Sequence, residues 1–132
     1  TEAAMKEKRA RIEDALGAVQ SALRSGIVAG GGCSYLYASL CLGDEGAEGI
    51  LKRALRAPFR TIVKNAQQED GYVYKNLLEK HENVWEGWDL YNEEIVNMYS
   101  IGVFDPLEVA EQAVLNAVSV ASLLMTAECA IV

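Results

Sequence analysis

Histidine and cysteine, which build many catalytic and metal sites, are scarce in this chain. There is one histidine, His81, and three cysteines, Cys33, Cys41 and Cys129. An odd number of cysteines, set in apolar segments and without metal-ligand spacing, argues against a zinc module or a disulfide framework. It predicts buried, reduced thiols. A Cys–His or Ser–His catalytic pair would have to rest on His81. Its neighbours Lys80 and Glu82 mark an exposed loop, so a structural or solvent-facing role is expected. Basic residues are outnumbered, 12 against 19, leaving a net charge of −7. Without a basic face, nucleic acid is not an expected partner. Long apolar runs are missing too. The most apolar stretch, 113–127, is broken by Asn116, Ser119, Ser122 and Thr126, and reads as a buried helix rather than a membrane span. The N-terminal residues are charged and helix-forming, with no leader pattern. No membrane partner and a cytoplasmic location are expected. A GxxxxGK[ST] sequence is absent as well, which excludes a Walker loop.

What is present suits one domain. The 132 residues are 51% hydrophobic, enough to bury a core and too apolar for a disordered chain. Eleven acids fall between positions 67 and 111 against Lys75 and Lys80, most simply a solvated acidic surface. Residues 1–25 predict a first helix, with Thr1 as N-cap and Met5, Ile12, Leu16, Val19 and Leu23 on one face. A second helix is expected over 31–42, "GDEGAEG" at 43–49 as a turn, and a third helix after it. Pro58 starts a fourth, and a shorter helix follows over about 71–78. "NVWEGWDLYN" (83–92) alternates large and polar residues around Gly87 and predicts a hairpin. "NEEIVNMYSIG" predicts a short helix stopped by Gly102. "DPLEVAEQAVLNAVSVASLLMTAE" predicts a long helix with Asp105 as N-cap, Pro106 at N1 and Glu108 at N3. The final "ECAIV" reads as an edge strand. The fold class is mainly α: a helical bundle with minor β structure.

Three features can carry chemistry. Gly30, Gly31 and Gly32 lie where the second helix begins. A helix N-terminus offers unpaired N–H groups, and glycine lets a ligand approach the backbone; a tight interhelix turn explains the run equally well. Asp14 points away from the apolar stripe of the first helix. Its helical neighbours are Ala10, Arg11, Gly17 and Ala18, a cleared face on which a ligand can settle. The plainer alternative is a solvated carboxylate paired with Arg11. Asp105 is explained by capping alone, although a cap carboxylate can also accept a sugar hydroxyl.

Taken together, "TEAAMKEKRARIEDALGAVQSAL", "GIVAGGG", "ALRAPFRTIVKNA", "GWDLYNEEIVNMYSIGVFDP" and "AVSVASLLMTAEC" resemble the group I chaperonins, the GroEL family, over the whole chain. The resemblance implies the C-terminal part of a subunit. Residues 1–25 would be an intermediate-domain helix, and 26–132 the C-terminal half of the equatorial ATPase domain, with a short hairpin and a C-terminal edge strand. It implies that Asp14 helps activate the attacking water, that Gly30, Gly31 and Gly32 contact the nucleotide, and that Asp105 holds the ribose. Asp89, Leu90 and Tyr91 match the hairpin segment against the adenine. ATP is the implied cofactor. Mg2+ and K+ are implied with ligands mainly outside this chain, where the family's "GDGTT"-like loop and magnesium-binding aspartate also belong. The implied partners are other subunits of a homo-oligomeric ring, unfolded client proteins and a co-chaperonin lid. Hydrolysis is thus expected of the full-length subunit and not of these 132 residues alone. Leu90 and Tyr91 are bulkier than the family's small triplet, Gly17 replaces a larger residue, and the loop after Ala66 differs. These departures suggest a divergent member, such as a viral one. The reading from another class is a helical structural or interaction module without catalysis.

Overall fold

The computed structural model describes residues 1–80 and 82–128. It is mainly helical, as expected, with four short strands: α1 (Glu2–Ser25), β1 (Ile27–Ala29), α2 (Cys33–Leu40), α3 (Gly46–Leu55), α4 (Ala57–Asn65), α5 (Asp70–Lys80), β2 (Glu86–Asp89), β3 (Glu94–Asn97), β4 (Phe104–Pro106) and α6 (Leu107–Thr126). The chain divides into two compact units, Thr1–Ile27 with Asp105–Val132, and Val28–Phe104. The strands form two two-stranded sheets, β1 with β4 and β2 with β3.

The central unit holds the core. Ala29, Cys33, Leu36, Tyr37, Phe59, Val63, Val73, Leu77, Trp88 and Met98 form one buried cluster drawn from α2, α4, α5 and the β2–β3 hairpin. Burying the Leu, Val, Phe and Met side chains among them contributes about 1.5–3 kcal/mol each. Ion pairs from Asp70 to Arg60 and Lys64 tie the first turn of α5 to α4. The Tyr37 hydroxyl donates to the Glu86 carbonyl at 2.7 Å, joining α2 to β2.

The other unit consists of α1 and α6. Thr1 Oγ1 accepts from the Ala4 amide, so the expected N-cap forms. The start of α6 is fastened to the end of α1: the Leu107 amide donates to the Gly26 carbonyl, and the Glu108 amide to Ser25 Oγ. Glu108 in turn accepts from Ser21 Oγ and Arg24.

Several expectations are corrected. The turn read over 43–49 ends sooner, because α3 already begins at Gly46. Glu48 reaches back to accept the Gly43 amide, and Gly49 leaves room for the Asp44 carbonyl. The helix read from "NEEIVNMYSIG" is instead strand β3, paired antiparallel with β2 in the register Glu86↔Asn97 to Asp89↔Glu94. The hairpin therefore turns at 90–93, and Gly87 lies inside a strand. A Cβ at Gly87 would fall 2.6 Å from Met98 and 2.8 Å from Cys33 Sγ, so glycine there marks close packing rather than a turn. The residue before α6 is Pro106, not Asp105, and no side chain of its own caps that helix. The segment read as a buried helix is largely exposed, with Leu123, Leu124 and Met125 at 70–81%. By length and composition α6 is the one helix among the described residues apolar enough to cross a bilayer. Cys41 is exposed, whereas Cys33 is buried as expected. His81, Cys129 and the edge strand read at the C-terminus lie outside the described residues, apart from Glu128.

Candidate functional site

The glycine run forms the turn from β1 into α2. Gly31 and Gly32 have φ of +64° and +78°, left-handed values that cost other residues about 1–2 kcal/mol. Space is the second constraint. A Cβ on Gly32 would meet the Phe59 backbone at 2.8–2.9 Å, and one on Gly30 the Val103 and Phe104 backbone at 3.1–3.2 Å. The Gly30 amide donates to the Val103 carbonyl, and its carbonyl accepts from Cys33. Gly30 and Gly32 are buried, while Gly31 is half-buried, so Gly31 presents the most accessible backbone of the three. In the first turn of α2, Ser34 Oγ is buried without a hydrogen-bond partner, the only such side-chain atom among the described residues. An unsatisfied buried hydroxyl costs about 1–3 kcal/mol. Ser34 escaped the sequence reading because nothing in its spacing marks it.

The β2–β3 hairpin belongs to the same unit. Its base meets the glycine turn through Met98, whose Cε lies 3.0 Å from a Cβ position on Gly31. At its tip, Asp89 Oδ1 accepts from the amides of Tyr91 (2.8 Å) and Asn92 (3.4 Å), and Oδ2 from the Asn92 side chain. The Tyr91 amide, then the Asn92 side chain, hold the Asp89 carboxyl below its ordinary pKa. Leu90 is half-buried and Tyr91 is 92% exposed.

Asp14 and Asp105 belong to the other unit. Asp14 is exposed on α1. Arg11, its nearest candidate partner, is bonded instead to Glu7 at 2.6 Å. Asp14 forms no hydrogen bond or ion pair among the described residues. The space where a side chain would stand at Gly17 is open. The surface around Asp14 is open, as is the rest of α1 from Glu2 to Gly17, apolar stripe included. Asp105 lies in β4, half-buried, and burial pushes its carboxyl above the ordinary value. Asp14 sits eleven residues before Ser25, about 16 Å along the helix at 1.5 Å per residue, so this unit does not bring Asp14 and Asp105 together. Among the described residues, no cluster of three or more His, Cys, Asp or Glu side chains forms that could hold a metal.

One unit holds a glycine turn with an adjoining hairpin; the other holds a long helix whose Asp14 carboxylate is unpaired among the described residues. The profile of the TCP-1/cpn60 chaperonin family matches residues 1–132. A solved structure of a group III chaperonin in the open state superposes with a TM-score of 0.70 at 34% identity, covering 84% of this chain and 25% of that one. The chain belongs to the TCP-1/cpn60 chaperonin family. It spans a quarter of the length of that solved relative.

Proposed function

We propose that this chain is the C-terminal intermediate and equatorial part of an ATP-hydrolysing chaperonin subunit that assists folding within a ring. The family match along all 132 residues carries this reading. Its motifs resemble those of group I members, and Leu90 and Tyr91 make it a divergent one. Residues 1–25 would be the intermediate-domain helix and 26–132 the equatorial part. The rest of the subunit would cover the exposed apolar faces of α1 and α6. The partners would be further subunits, unfolded clients and a lid protein.

ATP would supply the phosphoryl group, with Mg2+ and K+ held mainly by residues beyond this chain. The residues here do four things. Gly31, left-handed and partly accessible, leaves the start of α2 open to an anionic group, where helix N–H groups favour negative charge. The orphaned Ser34 hydroxyl offers a polar contact at the same turn. Asp105, whose carboxylate is costly to bury, gains a partner in a ribose hydroxyl. Asp14 has no competing cation, so its carboxylate is available to orient a water and take its proton. Phosphoryl transfer depends mostly on such positioning and charge stabilisation.

The test is Asp14→Ala in the full-length subunit. A group acting in the transition state lowers the single-turnover rate about 10²-fold or more and leaves equilibrium ATP binding nearly unchanged. Binding that falls as far as the rate makes Asp14 a binding residue. No change in either leaves the solvated surface carboxylate and removes the role assigned here.

A further inference from the structure

The tip of the hairpin packs on the core through Leu90 and, among the described residues, is hydrogen-bonded to the rest of its unit by one side chain. Gln68, in the α4–α5 junction, donates from Nε2 to the Leu90 carbonyl at 2.9 Å and accepts from Trp88 Nε1 at Oε1, at 2.8 Å. Its Nε2 also lies 3.5 Å from Glu93 Oε1. The amide therefore reaches residues on both sides of the tip. Its own backbone is fixed: the Gln68 amide donates to Val63, the Gln67 amide to Lys64, and Gln67 takes a left-handed φ of 61° that turns the chain off α4. Trp88 is buried and packs edge-on against Tyr72. Asp89 fixes the internal shape of the turn through the Tyr91 and Asn92 amides. Gln68 fixes where that turn sits on the core. The site needs a donor and an acceptor on one planar group, which a carboxylate cannot provide.

We propose that Gln68 is a positioning residue that sets the placement of Asp89–Tyr91 and, through it, which nucleotide base the protein prefers. The proposal rests on reading that tip as the base-contacting segment. Leu90 receives the clamp at its carbonyl, and its side chain is one of the two bulky groups at the tip, so a shift of the clamp shifts the wall of the base site.

The experiment compares Gln68→Glu and Gln68→Ala with wild type in the full-length protein. Gln68→Glu keeps size and the acceptor for Trp88 but loses the donor to Leu90, and it carries the test alone if Gln68→Ala does not fold. Amide hydrogen exchange over residues 88–93, measured without nucleotide, reads the clamp directly. Steady-state kinetics with ATP and GTP read the base. The expected result is faster exchange at the tip and a KM for ATP raised roughly five- to tenfold, as for one lost hydrogen bond to a ligand wall. The kcat stays within about twofold, and the ratio of ATP to GTP KM changes by a similar factor. Unchanged exchange overturns the clamp. Faster exchange with an unmoved base preference overturns the proposal, and Leu90→Ala then locates the failure. If Leu90→Ala shifts the preference, only the role of Gln68 is wrong; if it is also silent, the tip does not contact the base. Equal losses of kcat and kcat/KM with both nucleotides make Gln68 merely structural.

Discussion

At the scale of single residues, glycine was legible as a signal and not as a mechanism. Three glycines at the start of a helix announce a special backbone, and the structure gives each one a reason. Gly32 is the most constrained, combining a left-handed φ with Phe59 backbone atoms where a Cβ would stand. Those atoms sit at the head of α4 and cannot rotate aside as a side chain would. Gly32→Ala is therefore expected to destabilise the protein by about 2–4 kcal/mol, the sum of the conformational cost and overpacking. Urea denaturation checks it; a loss below about 1 kcal/mol would show that the α2–α4 contact yields easily, since strain alone accounts for that much. Gln67 and Glu93 adopt left-handed φ values without being glycine. Nothing in their residue types foretold it. Ser34 and Gln68 were illegible for a different reason, since an orphaned hydroxyl and a bridging amide are defined by distant neighbours rather than by local pattern. Asp14 is the converse case. Its small neighbours and outward angle are local properties of a helix and so legible in sequence, while its exposure is shared by every residue of that stretch of α1.

At the scale of elements, long periodic helices were readable and short segments were not. The first helix and its Thr1 cap follow from 3.6-residue periodicity, and α4 from Pro58 near its start. The segment from Asn92 misleads because Glu93–Glu94 and Ile95–Val96 come as adjacent pairs without the alternation of a half-buried strand, and the four paired positions are too few to set a period. Pairing with β2, which no local pattern encodes, settled it as a strand. The start of α6 failed similarly. "DP" followed by Glu108 looks like a self-capped helix, yet Ser25 provides the oxygen for the Glu108 amide. That junction has a pH signature. Arg24, first, and Ser21 hold the Glu108 carboxyl below its ordinary value of 4.5. A depressed folded pKa means the stabilisation is present above the unfolded value and is lost as pH falls through the folded one. Glu108→Gln should lower the thermal midpoint at pH 7, and the difference from wild type should close as pH drops below 4.5. Thermal melts across pH 3–7 measure this. A difference that persists unchanged at pH 3 would assign the loss to packing rather than charge. Asp105 has the opposite sign: burial raises its pKa, so its contribution is most favourable at low pH and declines as pH rises through the folded value.

At the scale of the whole molecule, charge and apolar surface act against each other. The chain carries a net charge of −7, which opposes association at low ionic strength. Against this, Met5, Ile12, Leu16 and Leu23 on α1, and Leu115, Leu123, Leu124 and Met125 on α6, are each more than half exposed. Monomeric proteins seldom leave contiguous apolar patches beyond a few hundred Å² uncovered. The 132-residue chain by itself is therefore expected to self-associate once its charge is screened. The Debye length falls from about 30 Å at 0.01 M salt to about 3 Å at 1 M, so repulsion fades while apolar attraction does not. Sedimentation velocity at micromolar concentration should show mainly monomer at low salt and a growing oligomer fraction as salt rises. Leu124→Lys and Met125→Lys lie in the exposed part of α6, away from the junction with Ser25, so they should suppress association without unfolding the chain. If association weakens with salt, ion pairs rather than apolar faces drive it. If the chain stays monomeric throughout, these faces do not drive association despite their exposure.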